Sequence, residues 1–112
     1  MSLVIYHNPR CSKSRETLAL LQDRGLTPQI IDYLKTPPDA ATLREIVARL
    51  GLPARALVRK KEAADAGIPD TLEGDALLEA LAAAPAALER PVVVCGDKAR
   101  IGRPPAQVLE IL

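Results

Sequence analysis

The residues that could carry chemistry are concentrated near the amino terminus, in the stretch HNPRCSKSR from His7 to Arg15. It places Cys11 among two arginines, a lysine, two serines and the only histidine of the chain. A thiol becomes nucleophilic when its thiolate is stabilised, and a helix N-terminus beside cationic groups provides that stabilisation. The free N–H groups of such a helix end also bind oxyanions. The pattern therefore predicts a reactive Cys11 beside a site for a small tetrahedral anion.

The spacing around Cys11 argues against two other thiol chemistries. Cys11 and Ser14 form C-x-x-S, so the dithiol pair of a C-x-x-C oxidoreductase is absent, and an external thiol has to resolve any adduct. Cys11 and Arg15 are also too close in sequence for a tyrosine-phosphatase loop. A buried, unreactive Cys11 at a strand end remains the alternative.

The second cysteine and the histidine have simpler interpretations. Cys95 closes the apolar run VVVC, so we expect it to pack in a strand, although it could in principle serve as a resolving thiol. No metal site is expected, because His7, Cys11 and Cys95 lack paired ligand spacing. His7 is expected to favour the Cys11 thiolate, with a loop-capping role as the alternative.

A strand, a helix and a second strand must position this loop. Residues Ser2–Tyr6 (SLVIY) predict a strand that ends at Asn8-Pro9. A helix is predicted from Ser12 to about Gly25, with an apolar face of Leu18, Leu20 and Leu21. The segment PQIIDY (Pro28–Tyr33) predicts the next strand, so the chain opens with a βαβ unit and parallel pairing.

The middle of the chain predicts a helical insert over about residues 36–88. Thr36-Pro37-Pro38-Asp39 favours a helix start, with a hydroxyl at Thr36, then Pro37 where a first helical residue would stand, and then an acid. Apolar residues then follow at helical spacing up to Gly51: Leu43, Ile46, Val47 and Leu50. The Ala-rich residues that follow predict further short helices.

The last quarter predicts a hairpin and a final helix. Pro91–Cys95 and Ala99–Ile101 are strand-like and flank the turn Gly96-Asp97-Lys98, and Pro104-Pro105 opens the last helix. The order β-α-β, helical insert, β-β-α is that of an α/β, thioredoxin-like fold with a mixed sheet. We therefore expect residues 1–112 to form a single domain.

Composition limits the classes of partner. Fifteen basic and fourteen acidic residues give a formal net charge of +1, which argues against nucleic acid binding. Tyr6 and Tyr33 are the only aromatic residues and make a poor stacking platform for bases. No export signal and no apolar run of ~18 residues is evident, so we predict a cytoplasmic protein without membrane attachment.

Four motifs carry a resemblance to a known family. HNPRCSKSRETL, VRKKE, ERPVVV and GRPPAQVLEIL occur in this order and cover the chain from Tyr6 to Leu112. In these motifs the chain resembles the ArsC family of glutaredoxin-coupled arsenate reductases, in particular its YfgD-like branch. The resemblance implies a thioredoxin-like fold enlarged by helices. It also implies reduction of arsenate to arsenite in arsenical resistance, with glutathione as co-substrate, glutaredoxin as partner and no bound cofactor.

The resemblance also implies roles for individual residues. On the matching positions, Cys11 is the nucleophile. The oxyanion-binding residues are three arginines, namely Arg59, Arg90 and Arg103. His7 and Ser14 tune the thiol, to which Arg15 adds positive charge. In this fold a cis proline usually faces the thiol, and Pro91 is the candidate.

One departure from the family keeps other functions open. The best-known reductases carry a smaller, less charged pair than Ser12-Lys13, and a small residue in place of Arg10. The alternatives are a monothiol, glutathione-linked redox protein acting on another substrate and an Spx-like regulatory binding protein. The C-x-x-S spacing argues against the latter, because such regulators usually carry C-x-x-C.

Overall fold

The computed structural model of the chain describes residues 2–112, which form two compact units. The first comprises the described residues up to Thr36 together with Arg90–Leu112. The second comprises Pro37–Glu89, within one residue at each end of the helical insert expected from the sequence. The opening loop with Cys11 belongs to the first unit.

The first unit is built on a mixed four-stranded sheet. Its strands are β1 (Leu3–His7), β2 (Gln29–Asp32), β3 (Val92–Cys95) and β4 (Lys98–Ile101). Their order is β2-β1-β3-β4, with β1 parallel to β2 and antiparallel to β3, and β3 antiparallel to β4. This arrangement confirms the predicted α/β, thioredoxin-like fold with a mixed sheet.

Two helices complete this unit, α1 (Ser12–Asp23) and a 3-10 helix (Pro105–Ile111). They pack on each other and share an aliphatic core with the sheet. The core consists of Ile5, Leu21, Val93, Cys95, Val108 and Ile111. Cys95 therefore lies in a packed strand. The last helix is 3-10 where the sequence predicted a regular helix.

The buried face of α1 includes the predicted leucine face and extends beyond it. Leu21 is buried, and the half-buried Leu18 and Leu20 pack against the same core. The fully buried positions of the preceding turns are Ser14 and Thr17. Hydroxyl-bearing residues are tolerated there because their oxygens are hydrogen-bonded, and the Thr17 hydroxyl donates to the Lys13 carbonyl at 2.8 Å.

The second unit contains α2 (Ala40–Leu50), α3 (Lys60–Asp65) and α4 (Gly74–Ala83). Two 3-10 helices lie between or beyond them, Ala54–Leu57 and Pro85–Ala87. Helix α2 begins three residues later than Pro37, where the sequence predicted its first turn. The reason is its N-cap, since the Asp39 carboxylate accepts from the Thr42 N–H at 2.8 Å.

The core of the second unit is aliphatic, and α2 packs on α4. Its buried leucines and isoleucine are Leu43, Ile46, Leu50, Leu57, Leu77, Leu78, Leu81 and Leu88. An antiparallel bridge between Val58 and Leu88 joins the segments that flank α3 and α4. Among residues 2–112, no helix is both long and apolar enough to cross a membrane.

Candidate functional site

Cys11 stands at the start of α1, where β1 turns into the helix. It is the N-cap residue with extended backbone angles, φ −93° and ψ 123°. Its N–H donates to the Asn8 carbonyl and its carbonyl accepts from the Arg15 N–H, both at 3.0 Å. The side chain is partly exposed. The thiol is thus held at the positive end of a twelve-residue helix and remains accessible.

Arg103 contacts the sulfur from the other end of the chain. Its Nη2 donates to the Cys11 Sγ at 3.3 Å, across 92 residues of sequence. Its Nε donates to the Arg90 carbonyl at 2.8 Å, which fixes the guanidinium plane. A fixed guanidinium provides a permanent charge and several parallel donors for an anion bound at the thiol.

The surroundings of Cys11 favour its thiolate. Partial burial raises the pKa of Cys11, but the opposing effects are together larger. They are, in order, the Ser14 N–H, the Arg90 side chain, the Lys13 N–H and the charge of Arg103. The net pKa of Cys11 therefore lies below its ordinary value. Two backbone donors and two arginines thus act on one sulfur.

Two prolines follow the arginines of this site. The Arg90–Pro91 peptide bond is cis, as expected for Pro91, and the Arg103–Pro104 bond, for which no cis form was predicted, is also cis. Between them Gly102 is buried and its N–H donates to the Pro91 carbonyl at 2.9 Å. Arg90 and Arg103 are thus presented by adjoining segments at the start of β3 and the end of β4.

His7 and Ser14 lie together beneath the loop. The His7 Nδ1 is 2.6 Å from the Ser14 Oγ, and the same oxygen accepts from the Asn8 N–H at 2.9 Å. Burial lowers the pKa of His7, with Asp32 opposing and Arg15 adding to the effect, so its imidazole is neutral at neutral pH. The Ser14 hydroxyl hydrogen is then available to donate to Nδ1.

The Arg15 side chain is hydrogen-bonded to the main chain of the loop. Its Nη1 donates to the Pro9 carbonyl at 3.0 Å in an exposed position. Its guanidinium contributes to the lowered pKa of His7. The thiol-tuning role assigned to Arg15 from the sequence stays a prediction.

Arg59 belongs to the second unit, where two carboxylates hold it. Its Nε donates to Glu62 at 2.8 Å and its Nη1 donates to Glu89 at 3.0 Å. The hydrogen bond to Glu62, followed by Glu89, raises the pKa of Arg59 despite partial burial. Its predicted oxyanion-binding role therefore concerns an arginine whose charge is already largely balanced.

Three residues had no role predicted from the sequence, namely Asn8, Tyr33 and Gly102. Asn8 is 7% exposed, and its side chain contacts the 1% exposed Tyr33. In the sequence, Asn8 was interpreted only as part of a turn with Pro9, and Tyr33 only as the end of a strand. The available signal was their position, since Asn8 stands just beyond the first predicted strand and Tyr33 at the end of the second, and the two strands were predicted to be parallel.

Comparisons with known proteins agree over nearly the whole chain. The sequence model of the ArsC family matches residues 6–111. The chain is 54% identical over 112 residues to the uncharacterized protein YfgD of Escherichia coli (strain K12), covering 96% of this chain and 94% of that protein. It is 46% identical over 112 residues to an arsenate reductase of Neisseria meningitidis serogroup B, covering 96% of each.

A solved structure gives the same result. The arsenate reductase from Vibrio cholerae superposes with a TM-score of 0.92 at 52% sequence identity, covering 100% of this chain and 98% of that chain. The structural similarity to this reductase and the sequence similarity to the relatives above therefore extend over nearly the whole chain. On the family model and these relatives, the chain belongs to the ArsC family.

Proposed function

We propose that the protein reduces arsenate to arsenite, with Cys11 as its single nucleophile and with glutathione and glutaredoxin as electron donors. Relatives named arsenate reductase support the substrate. The observation that carries the proposal is the contact of the Arg103 guanidinium with a sulfur whose pKa is lowered. An activated thiol beside a guanidinium is suited to attack an oxyanion that the arginine also binds.

The first step is a substitution at arsenic. The Cys11 thiolate attacks the arsenic atom of arsenate and forms a sulfur–arsenic bond. One arsenic–oxygen bond breaks, and that oxygen leaves as water after it takes up protons from solvent. Arsenic stays in the +5 state in this step. Arg90 and Arg103 stabilise charge on the remaining oxygens, and Arg59 is the third arginine proposed to bind them.

The reduction follows by thiol chemistry. Glutathione displaces a second oxygen as water and forms its own sulfur–arsenic bond. The glutaredoxin thiolate then attacks the glutathione sulfur, and the electron pair of the broken sulfur–arsenic bond passes to arsenic, which becomes +3. Water releases arsenite from Cys11 and returns the thiol. A second glutathione reduces the glutaredoxin mixed disulfide, so two thiols supply the two electrons.

The experiment is a turnover assay with matched cysteine variants. Purified protein receives arsenate, glutathione and glutaredoxin, and glutathione reductase reports glutathione disulfide through NADPH consumption. We expect Cys11→Ser to abolish turnover and Cys95→Ala to retain it, because Cys95 lies in the core of the sheet. Turnover that survives Cys11→Ser contradicts the proposal.

The same assay tests whether arsenate is the substrate separately from whether Cys11 is reactive. A protein that reduces glutathione mixed disulfides through Cys11, but leaves arsenate unreduced, is the monothiol redox protein considered above. Omitting glutaredoxin from the mixture should stop turnover. Continued turnover without it assigns the electrons to another donor.

A further inference from the structure

Asn8 uses all four of its polar groups within the first unit, and three of them hold the loop between β1 and α1. Its N–H donates to the Ser14 Oγ at 2.9 Å, and its carbonyl accepts from the Cys11 N–H at 3.0 Å. Its side-chain Oδ1 accepts from the Arg10 N–H at 3.0 Å. Its Nδ2 donates to the Tyr33 hydroxyl at 3.2 Å. Asn8 thus holds Arg10 and Cys11 in the loop and Ser14 in the first turn of α1, and its own side chain is anchored outside the loop by Tyr33.

The orientation of the Asn8 amide follows from its partners. The Arg10 N–H can only donate, so it must face Oδ1, and this turns the Nδ2 group toward Tyr33. Tyr33 is 1% exposed, and the Asn8 side chain is buried with it. A hydrogen bond in such a place is protected from competition with water.

The sheet explains why these two residues meet. The parallel ladder of β1 and β2 ends with the pair His7 and Asp32. Asn8 and Tyr33 are the next residue of each chain segment. The ladder thus fixes Tyr33 as a rigid support directly beside the start of the loop.

We propose that Tyr33 and Asn8 are positioning residues for Cys11: the Tyr33 hydroxyl holds the Asn8 amide, and Asn8 holds Arg10, Cys11 and Ser14 so that the sulfur faces the helix N-terminus. They act through the backbone, whose N–H groups must point at the sulfur to stabilise its charge. For its importance in turnover, this inference rests on the proposed function.

The backbone donors concerned are identified by their effect on the thiol. The N–H groups of Ser14 and Lys13 are two of the groups that lower the pKa of Cys11. A hydrogen bond weakens steeply as its angle departs from linear, so small movements of the loop reduce this stabilisation. Removal of the Tyr33 anchor should therefore leave a folded protein with a less acidic thiol.

The test measures the thiol without any arsenate. The rate of Cys11 alkylation by iodoacetamide is followed against pH, with the modified peptide quantified by mass spectrometry. We expect Tyr33→Phe to raise the apparent pKa of Cys11 and, at pH values below that pKa, to lower its alkylation rate about threefold to tenfold. Since the assay needs no substrate, its outcome is independent of whether the protein reduces arsenate.

A double-mutant cycle with Asn8→Ala decides whether Tyr33 acts through Asn8. The effect of Tyr33→Phe should disappear in the Asn8→Ala background. Ile111→Val, in the core of the same unit, is the control for a general loss of stability and should leave the alkylation profile unchanged. An unchanged thiol in Tyr33→Phe overturns the proposal, and so does an equal effect in both backgrounds. If Asn8→Ala does not fold, Tyr33→Phe against Ile111→Val still decides.

Discussion

Replacing Gly102 by alanine tests how closely α1 must pack against the segment that carries Arg103. A Cβ at this position would lie 2.5 Å from the Thr17 Oγ1 and 2.8 Å from the Pro91 Cγ. Both distances are far below normal contact. Thr17 cannot turn away freely, because it is buried and its hydroxyl donates to the Lys13 carbonyl.

The expected loss of stability is at the upper end for overpacking, about 3 kcal/mol. For a domain of this size that corresponds to a fall in Tm of about 15 °C. The matched control is Gly67→Ala. No atom lies within 4 Å of a Cβ there, and its φ of +76° leaves only a backbone strain of about 1 kcal/mol. Thermal unfolding followed by circular dichroism measures both variants.

A second substitution tests the cause of the loss. Thr17→Ala removes two of the three atoms nearest to the added Cβ, and the Pro91 ring remains. The double variant, Thr17→Ala with Gly102→Ala, should therefore lose about 1 kcal/mol less unfolding free energy than the two single variants lose together. Strict additivity, or a Gly102→Ala protein as stable as the parent, would refute the steric reasoning.

Two further predictions concern single polar contacts. Arg103→Gln should raise the pKa of Cys11 and slow its alkylation below that pKa, because a charged donor to the sulfur is lost. The control is Arg100→Gln, since Arg100 bonds Glu110. Equal pH profiles of alkylation for the two variants would remove Arg103 from the site. The Thr42 N–H lowers the pKa of Asp39, so Asp39 contributes stability that is lost as the pH falls through that lowered value. Asp39→Asn should melt with a weaker acid dependence than the parent, and identical pH profiles of Tm would contradict this.

The regular elements followed from local patterns in the sequence. The apolar run LVIY before Asn8-Pro9 predicted β1, which spans Leu3–His7. Gly51 was expected to end α2, and it adopts a left-handed conformation with φ 67° after Leu50. Helical spacing, strand alternation and turn residues act over a few residues, so a single chain segment contains enough information to predict them.

The start of α2 and the buried face of α1 were less predictable. The hydroxyl of Thr36 and the prolines after it suggested an earlier helix start, but the Asp39 carboxylate forms the cap. The leucines of α1 pack against the core as predicted, but the leucine pattern did not indicate that Ser14 and Thr17 are buried as well. Which face of a helix is buried depends on what packs against it. In α1, Thr17 packs closely against the segment at Gly102, where there is no room for a Cβ.

The sequence by itself determined that one cysteine stands at the start of a helix among basic and hydroxyl residues. That follows from neighbours within about one turn of Cys11, since strand, turn and helix signals are local. Only the tertiary structure decided which distant groups act on that cysteine. Arg103 reaches its sulfur because the antiparallel pairing of β1, β3 and β4 returns the chain to the same end of the sheet. Tyr33 reaches Asn8 because the parallel pairing of β1 with β2 aligns their ends.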